Sequence, residues 1–209
     1  MAVGARRPKA PEINRPYAPE RFEYRIWGAA FGELPAPDEV EPSAEVYLVP
    51  EQDGVNAKFR HGALEIKRLL GTPGGLQHWL PALRCPLPLP APLIAADLCP
   101  ALGVTPPPLA RAHYPLAELL SEVVPALSGV RAVPLRKRRR QFEVAGARAE
   151  RTRVCLGAVT IESVAVESEH LARAARATEQ LGLRRAANLD YVTALRRVVT
   201  GASDGLSAR

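Results

Sequence analysis

Apolar and charged residues alternate one for one in several short stretches, a period of two that predicts strands rather than helices. In 21–27 the apolar side is Phe22, Tyr24 and Ile26, and the charged side is Arg21, Glu23 and Arg25. Alternation of this kind sets one face on a core and leaves the other to solvent or to a lumen. A short strand follows at 45–49, and Gln52-Asp53-Gly54 marks a turn. Two more strands, 55–60 and 63–69, are joined at His61-Gly62. Asn56, Lys58 and Arg60 share a face of the first, while Glu65 and Lys67 alternate with Leu64 and Ile66 in the second. The pattern returns at 130–144, 149–156 and 158–169, divided by the Ala145-Gly146-Ala147 turn and by Gly157. The simplest account is an antiparallel meander with one charged face.

Near the C-terminus the period lengthens. Leu171, Ala174, Ala175, Thr178 and Leu181 keep the spacing of one buried helical stripe, which predicts a helix over 171–183 with Gly182 as its stop. A last helix through Val199 follows, capped by Asn188 or Asp190, with Tyr191, Leu195 and Val198 inward. The stretch 71–134 differs, holding thirteen of the 21 prolines. Two short amphipathic helices are predicted there, around 75–83 and 116–127. The run from Pro86 to Pro92 cannot join a central sheet. Trp79 is expected to pack and His78 to sit at the surface. The organisation expected is a disordered or loosely docked leader (1–19), one domain (20–200) with a proline-rich insert at about 71–130, and a frayed tail (201–209).

Charge concentrates in Leu135-Arg136-Lys137-Arg138-Arg139-Arg140-Gln141-Phe142-Glu143-Val144. As a strand it splits by parity, with Lys137, Arg139, Gln141 and Glu143 on one face and Arg136, Arg138, Arg140 and Phe142 on the other. Both faces carry cations, so neither suits a dry core. A solvated edge, a nucleic-acid surface, or a barrel with an anion-binding lumen would each hold it.

Composition refines this only a little. The 209 residues carry a net charge of +6, which favours an anionic partner. A general excess of Ala, Pro, Leu and Arg, of the kind GC-rich coding produces, weakens that inference. Cys85, Cys99 and Cys155 lack paired spacing, so reduced cytosolic thiols are expected rather than zinc or disulfides. No apolar run is long enough to span a bilayer, and 1–19 has no secretory core. No nucleophile–base constellation can be assembled from the order of residues. Few aromatics are available for base stacking, which places nucleic acid behind smaller phosphorylated partners.

The order of pieces resembles the CYTH-like, or triphosphate tunnel metalloenzyme, superfamily. A Glu-x-(Lys/Arg) strand, cationic strands, a Lys-x-Arg strand and a Glu-x-Glu strand are followed by a helix ending in Leu-Gly-Leu and a short Tyr-containing helix. The resemblance covers roughly 20–69 and 130–200. It implies an α+β fold, a closed antiparallel eight-stranded β-barrel (a tunnel) with flanking helices. Its lumen would hold a triphosphate or polyphosphate on cations, and Mg²⁺ or Mn²⁺ on carboxylates. Carried over by position, Glu23, Glu167 and Glu169 take the catalytic and metal-holding roles. Arg25, Lys58 or Arg60, Lys67, Lys137, Arg139 and Arg153 take the phosphate. The pattern departs at Arg21, where the family's opening Glu-x-Glu-x-Lys has its first acid, and at Cys155, the position read as that of a further acid. The resemblance therefore implies a triphosphatase-type phosphohydrolase. The departures favour a non-catalytic module for a phosphorylated ligand or partner, and a basic nucleic-acid-binding protein remains the third reading.

Overall fold

The computed structural model describes residues 12–28 and 38–202. Eight strands close into one barrel, antiparallel throughout. They are β1 (Arg21–Trp27), β2 (Asp38–Val49), β3 (Val55–Arg60), β4 (Ala63–Gly71), β5 (Gln77–Pro86), β8 (Arg131–Val144), β9 (Ala147–Leu156) and β10 (Val159–Ser168). Around the barrel the order is β1, β10, β9, β8, β2, β3, β4, β5, and β5 returns to β1 through Arg21 opposite Trp79 and Glu23 opposite Gln77. Two-residue strands β6 (Leu89–Pro90) and β7 (His113–Tyr114) pair with each other outside the barrel. Four helical segments flank the barrel: α1 (91–101), α2 (116–126), α3 (Leu171–Gln180) and α4 (Tyr191–Val199).

Burial explains the strand parity. The outward side of β3, β4 and β5 (Ala57, Leu64, Ile66, Leu83) lies under α1 and α2, against Ile94, Leu98, Leu119 and Val123. The outward side of β1, β9 and β10 (Tyr24, Ile26, Ala149, Val164, Val166) lies under Ala174 and Ala177 of α3. A third cluster closes one end of the lumen, where Tyr191, Val192 and Leu195 of α4 meet Trp27, Tyr47, Val133 and Ile161. An eight-stranded barrel is just wide enough for its inward side chains to fill it, so an inner face of alternating charges makes a polar centre.

The helix expected at 75–83 is a strand. Gln77, Trp79, Leu83 and Cys85 are buried, alternating with less buried His78, Leu80, Ala82 and Arg84, and β5 hydrogen-bonds to both β4 and β1. The insert thus begins after Pro86 rather than at 71. Two prolines fit this central strand because the β4–β5 register shifts next to Pro81 and because Pro86 is its last residue. Part of the expected leader joins β5, beginning at Asn14. The Asn14 N–H donates to the Arg84 carbonyl at 3.0 Å, and the Tyr17 N–H donates to the Pro81 carbonyl at 3.1 Å. Residues 1–11, 29–37 and 203–209, which include most of the expected tail, lie outside the described residues.

Of the two expected caps, Asp190 is the one used. Its carboxylate accepts from the Val192 and Thr193 N–H groups at 2.8 and 3.1 Å and from the Thr193 hydroxyl at 2.7 Å. Asp190→Ala is expected to cost about 1 kcal/mol of stability in a urea titration, the usual loss for an N-cap. Asn188 does something else: it accepts from the Arg25 N–H and donates to the Glu23 and Gly75 carbonyls, pinning the approach to α4 onto β1.

Candidate anion-binding lumen

Register decides which charges meet. Directly opposed residues of neighbouring strands point the same way, so Glu23, Glu167 and Arg148 form one tier of the inner face, and Arg25, Ala165 and Glu150 the next. Lys137 faces Ser43, and Lys58 stands between Tyr47 and Glu65. Lys67 and Arg139 complete the cationic lining, and Arg60 closes it beside Glu65. The cavity left between these side chains is about 80 Å³. That is far below the ~300–1,000 Å³ of ordinary small-molecule pockets.

Arg25 is the hub of one half. Its guanidinium donates to Glu23 Oε1 at 2.8 Å, Glu150 Oε1 at 3.0 Å and the Ser163 hydroxyl at 2.8 Å, and it lies 4.4 Å from the centre of the Tyr191 ring. Burial works against the Glu150 charge, but Arg25 and then Lys137 outweigh it and hold its carboxyl at about 2. Glu45 is the hub of the other half. Its Oε2 lies 3.1 Å from Lys137 Nζ and 3.3 Å from Lys58 Nζ, and its Oε1 accepts from the Ser43 hydroxyl at 3.1 Å. The two lysines overcome the cost of burial and hold the Glu45 carboxyl well below the usual range. The lysines are strained in turn. Burial and the charge of Lys137 push the Lys58 ammonium down to about 7. Burial pushes Lys137 down to about 8 despite Glu45. Burial also lowers Lys67.

Three donors in this lumen lack partners among the described residues. The buried Nε groups of Arg60 and Arg139 have no acceptor. Lys67 makes no hydrogen bond or ion pair. For the two Nε groups, which are buried, the lack of a partner costs about 1–3 kcal/mol each, more when charged.

The structure brings together Glu23, Arg25, Lys58, Arg60, Lys67, Lys137, Arg139 and Glu167 of the expected residues. It does not bring in Arg153, which faces outward and pairs with Glu162 at 2.8 Å. Parity explains this: Arg153 opposes Arg138, on the outward side of β8. Cys155 likewise opposes outward Arg136, so it does not stand where a lumenal acid would be; Glu150 supplies that acid. Glu169 is half exposed at the tunnel mouth, 3.4 Å from Arg21. Sequence reading missed Glu45, Glu65, Arg148 and Glu150. Strand alternation marks each of them: Glu45 shares a face with Tyr47, Glu65 shares one with Lys67, and Arg148 and Glu150 stand four and two before Thr152.

The Mg²⁺ or Mn²⁺ implied by the resemblance does not fit these residues as arranged. Glu23 is engaged by Arg25, Glu167 by Arg148 and Glu169 by Arg21. Among the described residues no group of three or more His, Cys, Asp or Glu side chains could hold a metal ion. A hard cation needs oxygens free to surround it, and here arginines already neutralise the carboxylates.

Three solved structures are similar to this chain at low scores. A Hippeastrum protein described as a candidate adenylyl cyclase with a dominant triphosphatase activity has a TM-score of 0.44 at 11% identity, covering 87% of this chain and 96% of that one. A candidate adenylate cyclase from Bacillus halodurans has a TM-score of 0.44 at 9% identity, covering 86% of this chain and 98% of that one. A conserved protein from Pyrococcus furiosus has a TM-score of 0.41 at 13% identity, over 81% and 98%. No protein-family model and no curated protein matches the sequence. The closed eight-stranded barrel agrees with the CYTH-like resemblance at the level of fold; at these scores the likenesses carry nothing about ligand or reaction. No helix among the described residues is long and apolar enough to cross a membrane.

Proposed function

We propose that the barrel is a binding module for a triphosphate or polyphosphate anion, held in the lumen by Arg25, Lys58, Arg60, Lys67, Lys137, Arg139 and Arg148. The observation that carries this reading is that the Arg60 and Arg139 Nε groups and the Lys67 ammonium have no partner among the described residues, around a small cavity lined almost wholly by charged and polar side chains. Phosphate oxygens accept from guanidinium forks in charge-assisted pairs, and an anion there would relieve the cost of leaving those donors bare. The carboxylates act in this reading as counter-charges that keep the cationic lumen from repelling itself. Arg25 and Glu45 hold the two halves in place.

Isothermal titration with tripolyphosphate, with and without Mg²⁺ or Mn²⁺, tests the proposal. Saturable heat independent of metal, with no sustained heat afterwards, is expected. Absence of binding would remove the lumen's anion role. Sustained heat that requires metal, together with phosphate release lost in Glu167→Gln, would establish the hydrolase reading instead.

Binding should also depend on pH. A bound anion favours the charged lysines, so Lys58 and Lys137 take up protons on binding once the pH exceeds their free-state values of about 7 and about 8. Affinity is therefore expected to fall as pH rises from about 6.5 to about 9, through linkage. Binding heats at about pH 8 should vary with the ionisation enthalpy of the buffer, and Lys58→Met should flatten the profile.

A further inference from the structure

The outward side of β8 and β9 carries five arginines that the lumen does not use: Arg136, Arg138 and Arg140 on one strand, Arg151 and Arg153 on the next. In register, Arg138 stands opposite Arg153 and Arg140 opposite Arg151. Like charges directly opposed across a ladder are destabilising, and outward positions of a barrel impose no need for arginine. Glu162, buried on β10, takes Arg151 at 2.6 Å and Arg153 at 2.8 Å. Arg136 and Arg138 are exposed and make no hydrogen bond or ion pair among the described residues. The pairing with Glu162 fixes the Arg151 and Arg153 planes in place beside these two open guanidiniums.

The same face is grooved. A cleft of about 420 Å³ lies next to Pro42, at the irregularity in β2 between Val40 and Ser43, walled by Arg138, Arg139, Arg140, Arg151, Arg153 and Glu162. A second groove, about 1040 Å³, shares Pro42, Arg138 and Arg153 with the first and runs beneath the insert. It has an apolar floor including Val46, Leu87, Leu116 and Pro134. The trench therefore has cationic walls at one end and apolar ground at the other.

We infer that this outer face binds single-stranded nucleic acid, with phosphates along the arginines and bases over the apolar floor or stacked on guanidinium planes. Alternate residues of a strand recur every ~6.6 Å, so β8 presents an uninterrupted row of cations on one side. An unbroken row suits a polymer charged at every unit rather than a peptide with scattered acids. Guanidinium planes can stack bases where exposed aromatic rings are lacking. A duplex is too wide to enter such a cleft. The arginine row lies on the opposite side of the same two strands from the lumen, and the grooves beside it reach lumenal residues, Arg139 in the first and Glu45, Arg60 and Lys137 in the second.

Fluorescence anisotropy with labelled oligo-uridylate and oligo-thymidylate, on the full chain between about 50 and about 200 mM salt, tests the inference. Binding is expected to weaken steeply with salt. R136Q/R138Q should weaken it about tenfold or more and lower the salt slope by about 1.4, the single-strand value for two phosphate contacts. Tripolyphosphate titration of the same variant should be unchanged, which also shows that it is folded. The inference is overturned if the wild type does not bind either strand, if R136Q/R138Q binds as well as wild type, or if a duplex binds as tightly as the single strands. Strand binding lost in Lys67→Met but kept in R136Q/R138Q would place the strand in the lumen instead. Equal displacement by poly-glutamate would assign the face to an acidic protein.

Discussion

Glu45→Gln lowers the unfolding free energy by about 3 kcal/mol, the lower end of the ~3–5 kcal/mol range for removing one partner of a buried ion pair. Glu45 is 2% exposed and is the common counter-charge of Lys58 and Lys137. Glutamine keeps the shape and the bond to Ser43 while leaving two ammonium groups in a low-dielectric centre. The loss falls at the lower end because those lysines, already at about 7 and about 8, can release protons instead of remaining charged. The pH dependence follows from the signs. The Glu45 carboxyl is depressed in the fold, so its contribution is present above the ordinary carboxylate pKa and is lost as pH falls below about 4. The lysines are depressed as well, so the folded protein sheds their protons near neutral pH while the unfolded chain keeps them. The Glu45 pairing thus weakens again above about pH 8. Urea denaturation across this span should show the largest difference between variant and wild type at about pH 5–7, narrowing on both sides. A difference independent of pH would mean that Glu45 matters for packing alone.

Arg139→Gln has the opposite pattern. Tripolyphosphate affinity is expected to fall about 10- to 150-fold, the equivalent of ~1.5–3 kcal/mol for hydrogen bonds to a charged group. Stability should hold or rise slightly. The reason is that the Arg139 Nε has no acceptor among the described residues, and the guanidinium's bond to Ser43 is long at 3.4 Å. Removing a cation that the fold does not satisfy costs the fold little, whereas the ligand loses a donor made for it. Calorimetry and thermal melts on one preparation separate the two effects. A fall in stability equal to that of Glu45→Gln, with unchanged affinity, would recast Arg139 as a structural residue.

Strand parity is legible in the sequence because side-chain direction alternates along an extended chain whatever the chain pairs with. The split of the basic run into Lys137 and Arg139 inward and Arg136, Arg138 and Arg140 outward is local geometry. So are the Gly182 stop of α3 and a cap at Asn188 or Asp190 before α4, of which the structure uses Asp190. Strand β5 is not legible in the same way, since Trp79, Leu80, Leu83 and the prolines around them satisfy helical spacing as well as alternation. Only hydrogen bonding to β4 and β1 selects the extended form.

The sequence by itself determined which residues share a face in strands without a register shift, such as β1, β8 and β9, but not across the shifts in β2 and β5. The tertiary structure alone decided which faces meet. Closing eight strands into a barrel fixes register across neighbours distant in the chain, and register set Glu45 against Lys58 and Lys137, set Glu23 against Glu167, and turned Arg153 and Cys155 outward. It also paired the expected metal-holding carboxylates with arginines, an outcome of distances between strands that no local pattern encodes.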